Sequence, residues 1–533
     1  MPVPAALAPL RHPVFRMLWT ATLVSNIGGW VQNTGAGWLM TTLSPSPLMV
    51  SLVQAASLVP VFLLALPAGA LADQVDRRRF LLAAQAWICA MAVLLSLLTA
   101  LGVLGPWGLL AITFGIGMGS AANFPAWSAV TPEIVSRSDL PQAIVLNGIG
   151  FNLARAVGPA VGGLLIAWAG TAATFAFNAA TFLVLIAALF FWKRVHPEPA
   201  IPGEGLLPAM RTGVRYVANS PTMRGIVARG AVSFFFAAAV WGLLPLVVRQ
   251  RLGLGPETFG LMLGCMGAGA VAAGFALPAV RARLSRSNLV VVAGVINGLS
   301  VTGLGLSTHW SFAGLSLVIY GATWIAVAST LSAAAQLTAR PWVRARAIGL
   351  FQVITFGGLA AGSFLGGLLG NAVGVPTTLA AFGLGGAVCT WAVRRLRIEA
   401  PPLVPVPTGE LVEPKPADPA PELLPALIAG NEGLLEAVRY RVPAASRPAF
   451  LAAMAEVQGV RMRAGALAWR VYEDVARPDL YVELWSVDSW TDHLREQSRL
   501  SEADHAAMAR AAAFHDGEDG DGPKAARYVH LPL

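Results

Sequence analysis

About twelve apolar segments of roughly 20 residues run between Phe15 and Val393, and the basic residues joining them are sorted by loop parity. If the segments cross a bilayer in turn, their connections fall alternately on two sides. The side holding the start of the chain carries 21 Lys/Arg, and the other carries two, Arg249 and Arg251. Basic side chains resist translocation and collect in cytoplasmic loops. A soluble fold has no means of sorting its charges by loop parity. The sequence therefore predicts an all-α polytopic membrane protein with both ends cytoplasmic. Its 12 transmembrane helices are expected near 15–40, 47–71, 80–103, 107–131, 140–167, 171–193, 226–248, 257–280, 288–306, 311–336, 344–370 and 375–396.

Composition agrees. Only 12% of the 533 residues are charged and mean hydropathy is +0.64, against about 25% charged residues in soluble domains. The net charge of +9 conceals two opposed parts. Residues 1–398 carry 24 Lys/Arg against seven acids, +17, and residues 399–533 carry 13 against 21, −8. The cations are spread over many loops facing anionic lipid, not gathered on one face, which argues against a nucleic-acid partner. Cys89, Cys265 and Cys389 lie within apolar segments and do not suggest a disulfide framework. The short Pro-rich start and the long first apolar segment argue against a cleavable signal.

The chain is expected to divide into a six-helix bundle over 10–193, a cytoplasmic linker over 194–225, a second six-helix bundle over 226–398, a Pro-rich linker over 399–432 and a soluble domain over 433–533. Leu206, Met210, Val214 and Val217 recur at helical spacing beside Arg211 and Arg215, which reads as an amphipathic helix on the cytoplasmic surface; a plain solvated linker is the competing reading. The two halves repeat. His12-Pro13-Val14-Phe15-Arg16 matches Ser220-Pro221-Thr222-Met223-Arg224 at offset 208. Gly158, Gly162, Gly163 and Gly170 match Gly362, Gly366, Gly367 and Gly374 at offset 204. In 433–533 strands are expected at Leu434–Val442, Leu467–Val475, Leu480–Val487 and Arg527–Leu531, with helices near Arg447–Arg461, Ser489–Gln497 and Glu502–Phe514. This βαββαβ order suits a cytoplasmic α+β ferredoxin-like domain.

Polar groups inside the apolar segments are few. Asn26, Gln32 and Asn33 in the first, Asn147, Asn152 and Arg155 in the fifth and Asn178 in the sixth are candidates for lining a substrate cavity; hydrogen bonding between helices is their other use. A buried Arg155 costs about 2.5–3.5 kcal/mol on insertion scales, so it is expected to face a cavity or a partner. Trp30, Trp38, Phe234, Phe235, Phe236 and Trp241 add aromatic surface, for which lipid contact or interfacial anchoring is the simpler explanation. No Asp or Glu falls deep inside any segment.

Three stretches carry a family resemblance. The loop Gly69-Ala70-Leu71-Ala72-Asp73-Gln74-Val75-Asp76-Arg77-Arg78-Arg79 resembles the signature loop of the major facilitator superfamily, with Asp76 where a second Gly is usual. Gly158-Pro159-Ala160-Val161-Gly162-Gly163 is similar to the end of a helix-bend motif found in exporters of that superfamily. The tail run Trp485-Ser486-Val487-Asp488-Ser489-Trp490 with His493 resembles antibiotic-biosynthesis-monooxygenase-like domains. The chain is thus identified as similar to the enterobactin-exporter-like branch of the major facilitator superfamily, with such a domain appended. The resemblance implies two pseudo-symmetric six-helix bundles rocking around a central site in the bacterial inner membrane. It implies efflux of a small amphipathic compound, siderophore-like or drug-like, driven by the proton gradient. It also implies a conformational latch at Gly69, Asp73, Asp76, Arg77 and Arg78, with a partner near Arg344–Ala347, and pairing of two chains through their tails. No cofactor or metal is expected, since a phosphate loop and metal-ligand spacing are both missing. Uptake of a solute, or oxidation of a lipophilic substrate by the tail, are the alternatives.

Overall fold

Proline and glycine punctuate the helices. A computed structural model describes residues 5–136, 138–192, 206–340, 342–399, 418–423, 425, 427, 433–516 and 522–529. The helices are α1 (Pro13–Leu43), α2 (Pro47–Gln74), α3 (Arg77–Ala100), α4 (Pro106–Ile134), α5 (Leu140–Phe191), α6 (Leu206–Asn219), α7 (Pro221–Leu246), α8 (Pro256–Arg281), α9 (Arg286–Leu306), α10 (Trp310–Thr338), α11 (Arg344–Val373) and α12 (Val375–Ala392). Proline suits a first helical position, where its missing N–H is not needed. It starts both α1 and α7, at the two positions that the offset of 208 relates. Among the described residues, nine helices are long and apolar enough to cross a membrane. The 52 residues of α5 would reach about 78 Å if straight, well over a single crossing. Gly170 breaks the helix with φ 78°, and Gly374, its counterpart at offset 204, separates α11 from α12 with φ 85°. Both sit in the left-handed region, which glycine occupies without steric cost.

The chain divides into two compact units. The first comprises 1–206, 225–337 and 348–398; the second comprises 207–224, 338–347 and 399–533. In the first unit, helices from the two halves of the sequence meet at the end where α1 and α7 finish. A Cβ on Gly163 of α5 would lie 2.7 Å from the Gly260 Cα of α8, so only glycine fits at this crossing. The related position Gly367 of α11 lies against α2, where a Cβ would come 2.6 Å from the Ser51 Cβ. Around these crossings Arg249 donates to Thr41 Oγ1 at 2.8 Å, Ser46 Oγ to Asn371 Oδ1 at 3.2 Å and Gln250 to the Pro45 carbonyl at 3.3 Å. A buried apolar core including Met40, Phe175, Leu243, Val248, Phe259 and Leu379 joins the same helices.

The second unit is built on a four-stranded antiparallel sheet of β1 (Leu434–Arg441), β2 (Ala468–Glu473), β3 (Leu480–Val487) and β4 (Lys524–Val529), in the order β2-β3-β1-β4. Its helices are α13 (Arg447–Ala464), α14 (Trp490–Arg499) and α15 (Glu502–Ala512). Phe450, Met454 and Val457 of α13 and Met508 of α15 pack on Val438, Tyr440, Tyr481 and Trp485. β4 begins three residues earlier than expected and ends at Val529; the expected end, Leu531, lies outside the described residues.

Two stretches from the helical part of the sequence belong to this unit. α6 forms where expected, but Val214 of the expected apolar face is 51% exposed while Tyr216 and Val217 are buried. The reason is a partner from distant sequence: Tyr216 donates to the Thr338 carbonyl at 3.1 Å and packs edge-on against Trp342. The tail grips both stretches. Arg215 donates to the Gly465 carbonyl at 2.8 Å, Arg340 pairs with Asp504, and the Arg499 guanidinium lies 4.5 Å from the Trp342 ring centroid. Burial raises the Asp504 pKa, but its hydrogen bonds from Arg340 and Ser501 outweigh this and leave the carboxyl below its ordinary range.

The Gly163–Gly260 crossing leads to a direct expectation. Gly163→Val should force α5 and α8 apart and lower the disulfide yield of a Ser46→Cys/Asn371→Cys pair several-fold, with an unchanged elution profile. An unchanged crosslinking yield would remove the crossing as the element that holds this end shut.

Candidate functional site

A cavity of about 610 Å³ lies within the first unit. Its wall follows helical spacing: Trp30, Asn33, Thr34 and Gly37 on α1, and Phe351, Gln352, Thr355 and Leu359 on α11. α2, α5, α7, α8 and α10 complete it, so both halves of the sequence contribute. Among the described residues lining it, Arg155 is the one charged side chain. Polar atoms come mainly from Asn33, Gln54, Asn152, Gln352 and the hydroxyls of Ser57, Ser329, Ser332 and Thr355.

Arg155 sits among three indoles. Its guanidinium carbon is 5.9 Å from the ring centroid of Trp30, 5.4 Å from Trp241 and 5.3 Å from Trp324. The side chain is buried, with 8% of its surface exposed, and Nε and Nη2 have no hydrogen-bond partner. An aromatic face attracts a desolvated cation, by about 0.5–2 kcal/mol, but it accepts an N–H only weakly compared with an oxygen.

The polar residues singled out in the sequence separate by environment. Asn33, Asn152 and Arg155 are on the cavity wall. Gln32 and Asn178 are buried and hydrogen-bond each other, joining α1 to the second leg of α5. Asn147 donates to Thr131 Oγ1 at 3.0 Å. Asn26 is half-buried on α1, away from the cavity lining. Gly158 and Gly162, which flank Pro159, lie where α5 meets α1; a Cβ on Gly158 would fall 2.5 Å from the Trp30 Cβ. Trp30 and Trp241 therefore line the cavity rather than meeting lipid, and Trp38 stacks on Phe259 at 5.8 Å. Trp324, Gln54 and Gln352 were not singled out by the sequence reading; the two glutamines had a usable signal, an amide isolated in an apolar segment.

In the signature loop, the side chains of Gly69 and Asp73 lie outside the described residues, although the backbone places both in the last turns of α2. Asp76 caps α3, its carboxylate accepting the Arg79 N–H at 2.8 Å with φ −59°. A capping Asp thus occupies the place of the usual Gly without needing a left-handed backbone. Arg77 pairs with Glu133 at 2.7 Å, and Arg78 donates to the carbonyls of Leu189 at 2.9 Å and Phe190 at 2.5 Å.

The tail contains a buried charge cluster that the sequence reading did not anticipate. Glu483 accepts from Tyr440 Oη at 2.9 Å, Trp469 Nε1 at 2.9 Å and Arg461 Nε at 3.3 Å. Glu496 accepts from Trp485 Nε1 at 3.2 Å and lies 3.6 Å from Arg461 Nη1. His493 pairs with Glu436, which is also 3.7 Å from Arg527 Nε. Ligand atoms of Glu436, His493 and Glu496 fall within 4.8 Å of one another, close enough to hold an ion. Two guanidiniums already occupy the approaches to these carboxylates, and a divalent cation would add like charge beside them. Burial pushes the Glu496 carboxyl up to about 7, which brings three acids and two arginines toward balance.

Comparison with known proteins points one way. The sequence matches the family described as transmembrane secretion effector over residues 4–531. Enterobactin exporters from Shigella boydii serotype 18 and Escherichia coli O81 are 26% identical over 330 residues, covering 60% of this chain and 76% of theirs. A bacterial homologue of the human lysosomal transporter Spinster, inward-facing and unoccupied, superposes with TM-score 0.59 at 14% identity, over 75% of this chain and 99% of its own. A POT family transporter in complex with 5-aminolevulinic acid gives TM-score 0.60 at 14% identity, over 71% of this chain and 95% of its own. At these identities the structural likeness is one of fold.

The tail cluster sets a pH dependence. The Glu496 pKa rises from 4.5 to about 7 on folding, so this residue takes up a proton as the tail folds. Its contribution to stability is greatest below about 4.5 and is lost as pH climbs through about 7. In Glu496→Gln the urea midpoint of the tail, read by hydrogen exchange over β1 and β3 in the intact protein, should vary less with pH across that window. Equal slopes for the two proteins would refute the assignment.

Proposed function

The chain belongs to the transmembrane secretion effector family of major facilitator transporters, and from that premise we propose that it exports a small amphipathic compound by alternating access. It is a membrane transporter by family and by fold. The observation that carries the export reading is the cavity of about 610 Å³ walled by both halves of the sequence, together with the likeness to enterobactin exporters. Alternating access needs a site between two bodies that rock against each other, as in transporters built from repeats.

In this reading the polytopic part has twelve spans in two six-helix bundles. The close contacts Gly163–Gly260 and Gly367–Ser51 support it, because they join α5 to α8 and α11 to α2 at related positions. The bias of basic residues places the chain ends in the cytoplasm. The end closed by Arg249, Thr41, Ser46 and Asn371 then faces outward, and the conformation is one whose cavity is reached from inside. The proximity of Ser332 and Phe351 on the cavity wall to the inner ends of α10 and α11 supports this. The tail's strand order favours a ferredoxin-like domain, and its buried aromatic residues and carboxylates pair with one another, favouring a structural over a catalytic role.

The proton gradient is the proposed energy source, and Asp73 the proposed latch, closing the cytoplasmic end onto the start of α11. Purified protein in lipid vesicles should move at least one member of a panel of amphipathic compounds, faster with an imposed pH gradient than without. Asp73→Asn should slow that movement at least several-fold with normal folding. Transport that ignores the gradient would overturn the coupling, full activity of Asp73→Asn the latch, and movement of nothing across the panel the export reading.

A further inference from the structure

Among the described residues Arg155 has no carboxylate partner. Among the described residues lining the cavity no carboxylate is present, and the three indoles around the guanidinium leave Nε and Nη2 unpartnered. These two nitrogens carry the N–H bonds on one edge of the guanidinium, parallel and spaced to meet both oxygens of a carboxylate. Buried polar side chains are normally hydrogen-bonded, and a desolvated charged donor with a vacant fork is costly to maintain. A group retained at such a cost, on the wall of a cavity large enough for a drug-sized molecule, marks where part of a ligand belongs.

The surroundings of the fork describe the rest of that ligand. Trp30 is on α1, Trp241 on α7 and Trp324 on α10, so the cage is assembled from both halves of the sequence. Flat indole faces 5.3 to 5.9 Å from the charge favour a flat apolar body beside it. In this conformation Nε and Nη2 are buried, with the Trp241 and Trp324 ring centroids 5.4 and 5.3 Å from the guanidinium carbon. Trp241 and Trp324 sit on the opposite half of the sequence from Arg155, so a ligand held here touches both halves.

We propose that the cavity takes a planar aromatic acid, its anionic group held on Nε and Nη2 of Arg155 and its ring among Trp30, Trp241 and Trp324. The proposal rests on the reading of this cavity as the cargo site and adds the cargo's charge and shape. It makes Arg155 the discriminating group. A neutral carboxamide offers one acceptor oxygen and no charge, so it meets only half of the fork, and a cationic isostere is repelled.

The test uses intact purified protein and a matched pair of probes, naphthalene-2-carboxylate and naphthalene-2-carboxamide, with binding read by quenching of indole fluorescence. The carboxylate should bind about tenfold more tightly than the carboxamide. Arg155→Gln should bring the two to equal affinity, and Arg155→Lys, which keeps the charge but not the fork, should retain only part of the preference. Equal affinities in the unaltered protein, failure of both probes to bind, or a carboxylate preference that survives in Arg155→Gln would each overturn the proposal. The comparison within the unaltered protein stands even if a variant does not fold. Vesicle transport separates this result from the reading beneath it: carboxylate binding with no movement of any compound defeats the transport reading alone, whereas efflux confined to neutral compounds defeats the anion site alone.

Discussion

Hydrocarbon supplies no hydrogen-bond partner, and the membrane unit is arranged around that constraint. Hydroxyls bond back one turn along their own helices, Thr34 to the Trp30 carbonyl at 2.9 Å and Thr355 to Phe351 at 2.8 Å. Amides find each other or a hydroxyl, as Gln32 with Asn178 and Asn297 with Thr323 Oγ1 at 2.9 Å. The fully buried Arg229 ends on the carbonyls of Arg394 and Leu396 at 2.5 Å, where a helix terminus leaves acceptors free. Against this background Arg155 is the charged group on the cavity wall, with two nitrogens, Nε and Nη2, that lack a hydrogen-bond partner.

The same constraint explains the glycines. Packing between membrane helices relies on close contact rather than on expulsion of water, so small residues mark the crossings. Gly163 and Gly367 occupy related positions and make related contacts across the sequence halves, while Gly170 and Gly374 end the same helix in each half with a left-handed backbone. One local solution, used twice, sets both the crossing and the break. That is the physical content of the offset of 204.

Most helix positions were legible because their signals are local: a proline at the start, a run of apolar residues, a glycine at the break. The tail strands were legible for the same reason, through alternation in segments such as Leu480–Val487. Features that depend on distant partners were not. Nothing near Tyr216 in sequence indicates that it, and not Val214, is covered, because the cover is Trp342. Glu436, Glu483 and Glu496 carry no local sign of burial, yet each is buried against an aromatic or basic partner 11 to 91 residues away. Within the cavity, Arg155, Asn33 and Asn152 were conspicuous as polar groups in apolar surroundings. Trp324 was not, since an indole in a membrane helix is ordinary until the charge beside it is known.

The second unit gathers segments that lie far apart in the sequence. α6 lies between the sixth and seventh expected spans, and residues 338–347 lie between the tenth and eleventh. Both are held by the tail, through Arg215 on the Gly465 carbonyl and Arg340 on Asp504. Three segments far apart in the sequence are thus packed into one unit. The opposed charges of the two regions, +17 before residue 399 and −8 after it, then have a structural meaning. The acidic tail meets basic connections of its own chain, and the pairing of Asp504 with Arg340 and, at 3.3 Å, with Arg463 shows one carboxylate serving both the tail's own fold and that attachment.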